Sequence, residues 1–374
     1  LCKGRGSVME RSSFRGILLQ SHIAKGLQKA IRPLLATAFD QETPAHQLGG
    51  KPGQSVLFGS HLVRSALRGR IAKRASLGLL FLDISAAYYA SIRELAFRQR
   101  GGASLSVADM VAGLGLPEDV LPELAARVHQ APVFEECGGS PLLNALADEV
   151  HRDTSFSLPG DPVLLHTRRG SRPGSSWADL VFGMLLHKVI DRCRGLSDGL
   201  SVPWHGQRSF WPSNAEEPSM PLYTIPGAIW ADDLCHLIVP DSPADALQEV
   251  KDHTRELLST AVSHALRPNM GPAKTAVMLA IHGRGARAAR ASVFSCGKPI
   301  FSIVTEAAGT YLVDIVSTYK HLGAVLAAGG GLSVEIRARC TAGRAAFQRG
   351  KRLLFQNARV PLERRALLFN SFVL

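Results

Sequence analysis

The sequence predicts an α+β protein, and three observations carry this prediction. Residues 77–82 form an apolar run that is typical of a buried strand. The apolar segments 223–229 and 234–239 flank Trp230-Ala231-Asp232-Asp233, a pattern typical of a strand-turn-strand hairpin. Segments with helical spacing of apolar residues lie on both sides of these strands. With 374 residues, 46% of them hydrophobic, the chain can bury a sizeable core divided among two or three subdomains.

Two helices are predicted before the first strand. Residues 16–36 alternate apolar and basic positions at helical spacing, and this helix is expected to end near Pro33. Residues 54–74 form the second.

The rest of the chain follows by the same criteria. Helices are predicted over residues 91–99, 117–130, 141–152, 180–190 and 245–264, a strand over 161–168, and two final helices over 333–357 and 361–374. Residues 194–226 are rich in Gly, Pro, Ser and Trp, which predicts an insertion or a long loop. Gly329-Gly330-Gly331 separates the final helices from what precedes them.

The paired carboxylates Asp232 and Asp233 are the most informative residues of the chain. Adjacent like charges raise each other's pKa unless a cation neutralises them, so a divalent metal ion is the obvious candidate partner. Asp83 ends the predicted strand 77–82 and supplies a third carboxylate. Three carboxylates from neighbouring strands could hold two metal ions about 3.5–4 Å apart, the arrangement used in phosphoryl transfer. This pattern indicates a polymerase or a nuclease.

Seven segments together resemble the reverse transcriptase domain of non-LTR (LINE-type) retrotransposons. Residues 81–88 resemble motif A, 170–176 the motif B loop, 230–233 the "YADD" of motif C and 269–275 the "LNPSKT" of motif D. Residues 14–19 and 46–55 are similar to the two fingers blocks "YRPISLL" and "QFGFRPGRS", and 319–323 to the "FKYLG" block near the primer grip. The blocks occur in the family's order and span nearly the whole chain.

The resemblance implies a right-hand polymerase: fingers over residues 1–76, a palm with an antiparallel sheet over 77–328, and the start of a helical thumb over 329–374. It implies RNA-directed DNA synthesis from an RNA template, a DNA primer and deoxynucleoside triphosphates. Asp83, Asp232 and Asp233 would be the catalytic metal ligands, aided by the backbone carbonyl of Ile84. Two Mg²⁺ ions are expected as the cofactor, with Mn²⁺ as a substitute.

Further residues acquire expected roles by position. Tyr88 matches the residue beneath the incoming sugar, where an aromatic ring disfavours a 2′-hydroxyl. The nucleotide is also expected to contact residues of the fingers, the motif B loop and motif D: Lys3, Arg15, Gly170, Pro173, Gly174 and Lys274. Lys274 would neutralise or protonate the leaving pyrophosphate. Lys51, Arg337, Arg344 and Lys351 are expected to contact nucleic acid, with a solvated helix face as the alternative for the last three.

Two alternatives remain open. Pro173 stands where the family usually carries Gln and cannot donate a side-chain hydrogen bond, and Gly50 replaces a usual aromatic residue. These departures favour a decayed remnant that keeps the fold and binds nucleic acid without polymerising. A metal-dependent nuclease is the second alternative, but it leaves the fingers and motif B blocks unexplained.

Charge distribution is consistent with a nucleic-acid cleft. The net charge is +12, and residues 1–82 carry 13 Lys and Arg against 3 Asp and Glu, while residues 281–374 carry 14 against 4. The intervening residues 83–280, which contain Asp83, Asp232 and Asp233, carry 16 basic against 24 acidic side chains. Basic flanks would bind a phosphate backbone around an acidic centre. A basic surface that only promotes solubility is the alternative.

Cysteine usage and hydropathy predict a soluble intracellular protein, and the resemblance implies that it is nuclear or shared between nucleus and cytoplasm. The six cysteines are far apart and contain no CxxC pair, and no apolar run approaches the length of a membrane span. Because the chain starts at Leu1 rather than Met, we expect it to be a fragment of a longer polyprotein that carries an endonuclease elsewhere.

Overall fold

The computed structural model describes residues 19–98, 106–158, 160, 162–171, 175–193, 199–203, 222–295, 299–305 and 309–372. Its helices are α1 (His22–Glu42), α2 (Val56–Ala72), α3 (Ala87–Ala90), α4 (Arg93–Ala96), α5 (Val107–Leu114), α6 (Leu121–Val128), α7 (Val133–Glu136), α8 (Pro141–His151), α9 (Ala178–Arg192), α10 (Ala246–Ser263), α11 (Ala286–Phe294), α12 (Ser333–Gly350) and α13 (Leu362–Phe372). Its strands are β1 (Leu77–Leu82), β2 (Ser155–Ser157), β3 (Leu164–His166), β4 (Leu200–Pro203), β5 (Leu222–Ile225), β6 (Gly227–Trp230), β7 (Asp233–Ile238), β8 (Ala276–Ala280), β9 (Ile300–Thr305), β10 (Gly309–Ile315), β11 (Thr318–His321) and β12 (Ala324–Ala327). The protein is therefore α+β, as the sequence predicts.

A six-stranded sheet in the order β6-β7-β1-β8-β10-β9 forms the centre of the fold. Strand β1 pairs antiparallel with β7 on one side and with β8 on the other. The antiparallel sheet predicted from the resemblance is present from β6 to β8, but β10 joins β8 in parallel. The sheet is therefore mixed, and the predicted antiparallel pairing does not extend to the contact of β10 with β8.

Strand β1 is buried on both faces, which explains its continuous apolar sequence. Leu80 and Leu82 belong to the core cluster that includes the helix α9, whereas Leu77, Leu79 and Phe81 belong to a second cluster on the opposite face. Alternate side chains of a strand point to opposite faces, so a strand between two packed layers needs apolar residues throughout. The predicted bounds of this strand are confirmed.

Helix α1 continues through Pro33 to Glu42, so the predicted end near Pro33 is wrong. Proline inside a helix removes one backbone hydrogen bond and costs about 3 kcal/mol. The turns beyond it bury Leu35 and Phe39 in the main core. Burying two such side chains stabilises the helix by about 3–6 kcal/mol, which offsets the cost of the proline.

Other element predictions are corrected in detail. Within the described part of the helix predicted over 91–99, only the single turn α4 is helical, and residues 117–130 contain a 3₁₀ turn before α6. The strand predicted over 161–168 is reduced to β3, which pairs with β2. Within the predicted insertion 194–226, β4 and β5 form a two-stranded sheet, and residues 204–221 lie outside the described part of the chain.

The predicted helix 333–357 ends as an α-helix at Gly350 and continues as a π-helical turn over Lys351–Phe355. The rings of Phe347 and Phe355 stack with centroids 5.4 Å apart, and Phe369 of α13 packs against both. A Cβ at position 350 would lie 2.5 Å from the Phe355 ring, so glycine allows this aromatic cluster to form. No helix within the described ranges is long and apolar enough to span a membrane.

Acid is expected to destabilise the protein through His321, which is 3% exposed and whose ring centroid lies 5.5 Å from that of Phe81. Burial lowers its pKa to about 4 from the usual 6.5. As the pH falls below 6.5, His321 of the unfolded chain binds a proton, whereas His321 of the folded protein stays neutral until about pH 4. The free energy of unfolding therefore decreases as the pH falls from 6.5 to 4. The free energy of unfolding should fall by at most about 2 kcal/mol from this residue at about pH 5.

Urea unfolding of the wild type and of His321→Phe, each near neutral pH and at about pH 5, measures this contribution. The variant keeps an aromatic ring but cannot titrate, so its stability should fall less with acid. An equal fall in both proteins would show that His321 titrates normally in the folded state.

Candidate active site

Asp83 and Asp233 lie side by side at the ends of neighbouring strands. The antiparallel ladder of β1 and β7 pairs Leu82 with Leu234. The next position along this ladder is occupied by Asp83, directly after β1, and by Asp233, the first residue of β7. The register of the sheet therefore brings together two carboxylates that are 150 residues apart in sequence.

Asp232 lies in the tight turn between β6 and β7. Trp230 pairs with Asp233, which leaves Ala231 and Asp232 as a two-residue turn. Ala231 has a φ of 55°, the left-handed conformation that two-residue hairpin turns require. The predicted hairpin is confirmed, with Pro226 separating its first strand from β5.

The pKa of Asp233 records the proximity of the three carboxylates. The loss of surrounding water, followed by the negative charges of Asp232 and Asp83, raises this pKa to about 6, and the positive charge of Lys274 opposes the rise. The three carboxylates are thus close enough to repel one another at neutral pH. A cation bound among them would relieve this repulsion.

Both oxygens of the Asp83 carboxylate have partners from the segment before β8. Lys274 Nζ lies 2.8 Å from Oδ1, and Asn269 Nδ2 donates to Oδ2 at 2.7 Å. The backbone N–H of Asn269 also donates to the Asp83 carbonyl at 2.8 Å, and the Asp83 N–H donates to Thr275 Oγ1 at 3.2 Å. The segment 269–275 therefore fixes both the backbone and the side chain of Asp83.

The hydrogen bonds on either side of Ile84 indicate the direction of its carbonyl. Ile84 forms an antiparallel bridge with Pro268, while Asp83 and Ser85 make the flanking hydrogen bonds to Asn269 and Arg267. Because carbonyls alternate in direction along an extended strand, the Ile84 carbonyl points away from this segment and toward the β7 side. Its role as a metal ligand stays a prediction.

Tyr88 lies near enough to the carboxylates of Asp232 and Asp233 to feel their charge. Its ring packs against Phe182 with centroids 5.3 Å apart. Burial raises the pKa of its phenol, and the negative charges of Asp232, Asp179 and Asp233 raise it further. The tyrosine is therefore neutral at physiological pH.

Helix α1 and the turn around Tyr88 hold the loop that resembles motif B at its two ends. At the start of this loop, Gly170 N–H donates to the Ser91 carbonyl at 2.7 Å and Ser171 N–H to the Tyr88 carbonyl at 2.8 Å. At its end, Arg32 of α1 binds Asp179 through two hydrogen bonds of 2.6 and 2.7 Å. Gln28 Oε1 accepts a hydrogen bond from Ser175 Oγ at 3.0 Å. The contacts of Gly170 place this predicted residue beside Tyr88.

The segment 46–49, which belongs to the residues resembling the second fingers block, lies against the hairpin of β6 and β7. Gln47 forms a parallel bridge with Ile229, and the N–H groups of Leu48 and Gly49 donate to the Ile229 carbonyl at 2.8 and 3.2 Å. A Cβ at position 49 would lie only 2.4 Å from the backbone nitrogen of Ala231. Only glycine therefore allows this segment to approach the turn so closely.

Tyr319, from the block resembling the primer grip, supports the site from the opposite face of the sheet. Its ring stacks on Phe81 with centroids 3.9 Å apart, and its hydroxyl donates to the Lys274 carbonyl at 2.8 Å. Burial raises its pKa, and the charges of Asp83 and Asp233 add to this effect. Tyr319 thus links the β11–β12 hairpin to the residue that binds Asp83.

The predicted basic residues are not all brought to one surface. Lys51 is 9% exposed, and its Nζ contacts the Thr43 carbonyl at 2.9 Å and Asp40 at 3.2 Å, so its ammonium stabilises the local fold. Arg337 and Arg344 are exposed on α12, and Lys351 begins the π-helical turn. Lys3, Arg15, Pro173 and Gly174 lie outside the described residues.

Several residues of this region have no expected role in the sequence analysis. Asn269 and Tyr319 lie within segments that resemble family blocks, so the signal that would find them is present. Gly49 likewise lies in a fingers block. Arg93, which binds the start of the loop at Gly170, has no such signal because most of its acceptors are backbone carbonyls.

Comparison with known proteins adds no assignment. No protein-family model matches the chain, and a search of the curated proteins finds no similar protein. As their side chains stand, no three or more His, Cys, Asp and Glu residues of the described ranges form a group that could hold a metal ion.

Proposed function

We propose that this chain is an RNA-directed DNA polymerase domain of the kind found in non-LTR retrotransposons. The observation that carries the proposal is the convergence of Asp83, Asp232 and Asp233 at the ends of β1 and β7, with Tyr88 beside them. The register of β1 and β7 supports the proposal, because it places the carboxylates of the segments that resemble motif A and motif C side by side. The right-hand architecture, with fingers, palm and thumb at the bounds given above, belongs to the same proposal.

The donor set of this site fits magnesium. Magnesium prefers oxygen ligands, and the negative charges of Asp232 and Asp83 contribute to the raised pKa of Asp233. Asp83 and Asp232 would be the principal ligands, with the Ile84 carbonyl and Asp233 assisting. Bound magnesium would act as a Lewis acid for the attacking and leaving oxygens of nucleotidyl transfer.

The remaining chemistry belongs to the side chains around the carboxylates. Tyr88 would lie beneath the incoming sugar and exclude a 2′-hydroxyl by contact, which favours deoxynucleotides. The Lys274 ammonium binds Asp83 at 2.8 Å. Once this ammonium is released from Asp83, it would neutralise or protonate the pyrophosphate that departs from the nucleotide. Exposed Arg337 and Arg344 on α12 would bind the phosphate backbone of the template–primer duplex.

Primer extension tests this proposal directly. The protein should extend a DNA primer on an RNA template with deoxynucleotides and Mg²⁺, and Asp232→Asn should lower the rate at least about a thousandfold, equivalent to about 4 kcal/mol. Asp241→Asn is the matched control, because Asp241 is exposed and lies beyond the end of β7. This control should extend the primer at the wild-type rate.

Two other outcomes would contradict the proposal in different ways. A folded protein that binds primer–template without extending the primer would be the decayed remnant. Cleavage of nucleic acid without nucleotides, lost in Asp232→Asn, would instead identify a nuclease.

A further inference from the structure

Arg93 is a buried cation that connects separate segments near the proposed nucleotide site. It is 6% exposed and lies on α4, ten residues after Asp83. Its guanidinium donates to the carbonyls of His151 at 2.7 Å, Thr167 at 2.9 Å, Gly170 at 3.1 Å and Arg169 at 3.2 Å. It also donates to the hydroxyls of Thr154 and Thr167 at 2.9 and 3.0 Å.

These acceptors converge from two directions on one planar group. His151 ends α8 and Thr154 precedes β2, whereas residues 167–170 follow β3 and lead into the loop that resembles motif B. The five N–H donors of a guanidinium have a fixed fork geometry, so their acceptors are held in fixed relative positions. Lysine has the charge but neither the planar geometry nor the number of donors.

The loop held by Arg93 is also in direct contact with Tyr88. The N–H groups of Gly170 and Ser171 donate to the carbonyls of Ser91 and Tyr88. Gly170 has a φ of +79°, and a Cβ there would lie 2.8 Å from the Tyr89 carbonyl oxygen and 2.9 Å from that of Tyr88. Since no space separates these backbones, a shift of the loop would displace the turn that carries the Tyr88 ring.

We propose that Arg93 is a positioning residue that fixes the spacing between Tyr88 and the loop beginning at Gly170, and through it the discrimination between deoxyribose and ribose. This inference rests on the proposed polymerase function for its sugar selectivity, whereas the positioning itself is independent of activity. Arg93 acts through Tyr88 and the loop, and not on the substrate. The selectivity of a steric contact depends on its distance, so a loosened Tyr88 would admit a 2′-hydroxyl.

Amide hydrogen exchange tests the positioning without any need for activity. In Arg93→Gln the amides of Gly170 and Ser171 should exchange at least about tenfold faster, while amides of β1 keep their protection. Arg93→Lys keeps the positive charge but loses the planar guanidinium, so the same amides should exchange at an intermediate rate. This variant also provides a test of the proposal if Arg93→Gln does not fold. Arg98→Gln is the matched control, because Arg98 is 60% exposed and binds Glu135.

Kinetics test the selectivity. Arg93→Gln should raise the KM for deoxynucleotides more than it lowers kcat, and its preference for deoxynucleotides over ribonucleotides should fall at least about fivefold. Arg98→Gln should keep both values, and Arg93→Lys should restore part of the preference.

The outcomes separate this inference from the proposed function. Unchanged exchange at Gly170 and Ser171 in a folded Arg93→Gln would overturn the positioning role. An active wild type with unchanged sugar preference in Arg93→Gln would overturn the selectivity and leave the polymerase standing. A wild type without extension would refute the proposed function and the selectivity together, and faster exchange would then support the positioning alone.

Discussion

Gly49→Ala is expected to lower primer extension at least about a hundredfold, because it would force the segment 46–49 and the carboxylate turn apart. The new Cβ would lie 2.4 Å from Ala231 N and 3.0 Å from Trp230 Cα. Both contacts are with backbone atoms, so no side-chain rotation relieves them. The turn that presents Asp232 must move, or the hydrogen bonds of Leu48 and Gly49 to Ile229 must break. A loss of about 1–3 kcal/mol in the free energy of unfolding should accompany the change.

Gly69→Ala provides the matched control for this prediction. Gly69 lies inside α2, and nothing lies within 4 Å of a Cβ built there. Alanine favours helix by about 1 kcal/mol over glycine, so this variant should be slightly more stable and fully active. Urea unfolding and primer extension of both variants measure the two effects. Wild-type extension by Gly49→Ala would mean that the turn tolerates displacement and does not position a catalytic carboxylate.

The central strand and the carboxylate hairpin could be predicted because their signals are local. A strand covered on both faces must be apolar throughout, and residues 77–82 have that pattern. A hairpin with a two-residue turn joins strands that are neighbours in sequence, so Trp230 and Asp233 reveal their own pairing. The adjacency of Asp83 and Asp233 follows once the two strands are placed side by side.

Pairing between distant segments had no such signal. The parallel contact of β10 with β8 depends on the whole order of the sheet, and no pattern within either strand specifies it. The continuation of α1 past Pro33 depends on what Leu35 and Phe39 pack against, which only the folded chain supplies. The propensity of proline is real, but tertiary packing outweighs it here.

The polar contacts of the site were the least predictable part. Arg93 binds mainly backbone carbonyls, and every residue has a carbonyl, so no residue type identifies its partners. Lys274 pairs with Asp83 across 191 residues. Lys274 and Asp83 each lie in a segment that resembles a block of the family, but only the folded chain shows that the two side chains meet.

Lys274→Met is expected to raise the affinity for Mg²⁺ and to slow primer extension, because Lys274 forms an ion pair with Asp83. Lys274 Nζ and a metal ion would compete for Asp83 Oδ1, since a carboxylate oxygen at 2.8 Å from an ammonium is already neutralised. Lys274→Met removes this competitor and should raise Mg²⁺ affinity about tenfold, equivalent to about 1.4 kcal/mol. Extension should nevertheless slow at least about tenfold, because the group that would neutralise or protonate the pyrophosphate is lost.

Unfolding in a chelator and in increasing Mg²⁺ measures the affinity, because a ligand that binds only the folded state stabilises it by mass action. Without metal, Lys274→Met leaves Asp83, Asp232 and Asp233 with less neutralising charge, so this variant should be less stable than the wild type and should gain more from Mg²⁺. Lys29→Met, at an exposed position of α1, is the matched control and should gain as much as the wild type. If Lys274→Met gains no more from Mg²⁺ than the wild type, the lysine does not compete for the metal site. A larger gain would identify Lys274 as a tethered cation that stabilises the carboxylates until metal and nucleotide replace it.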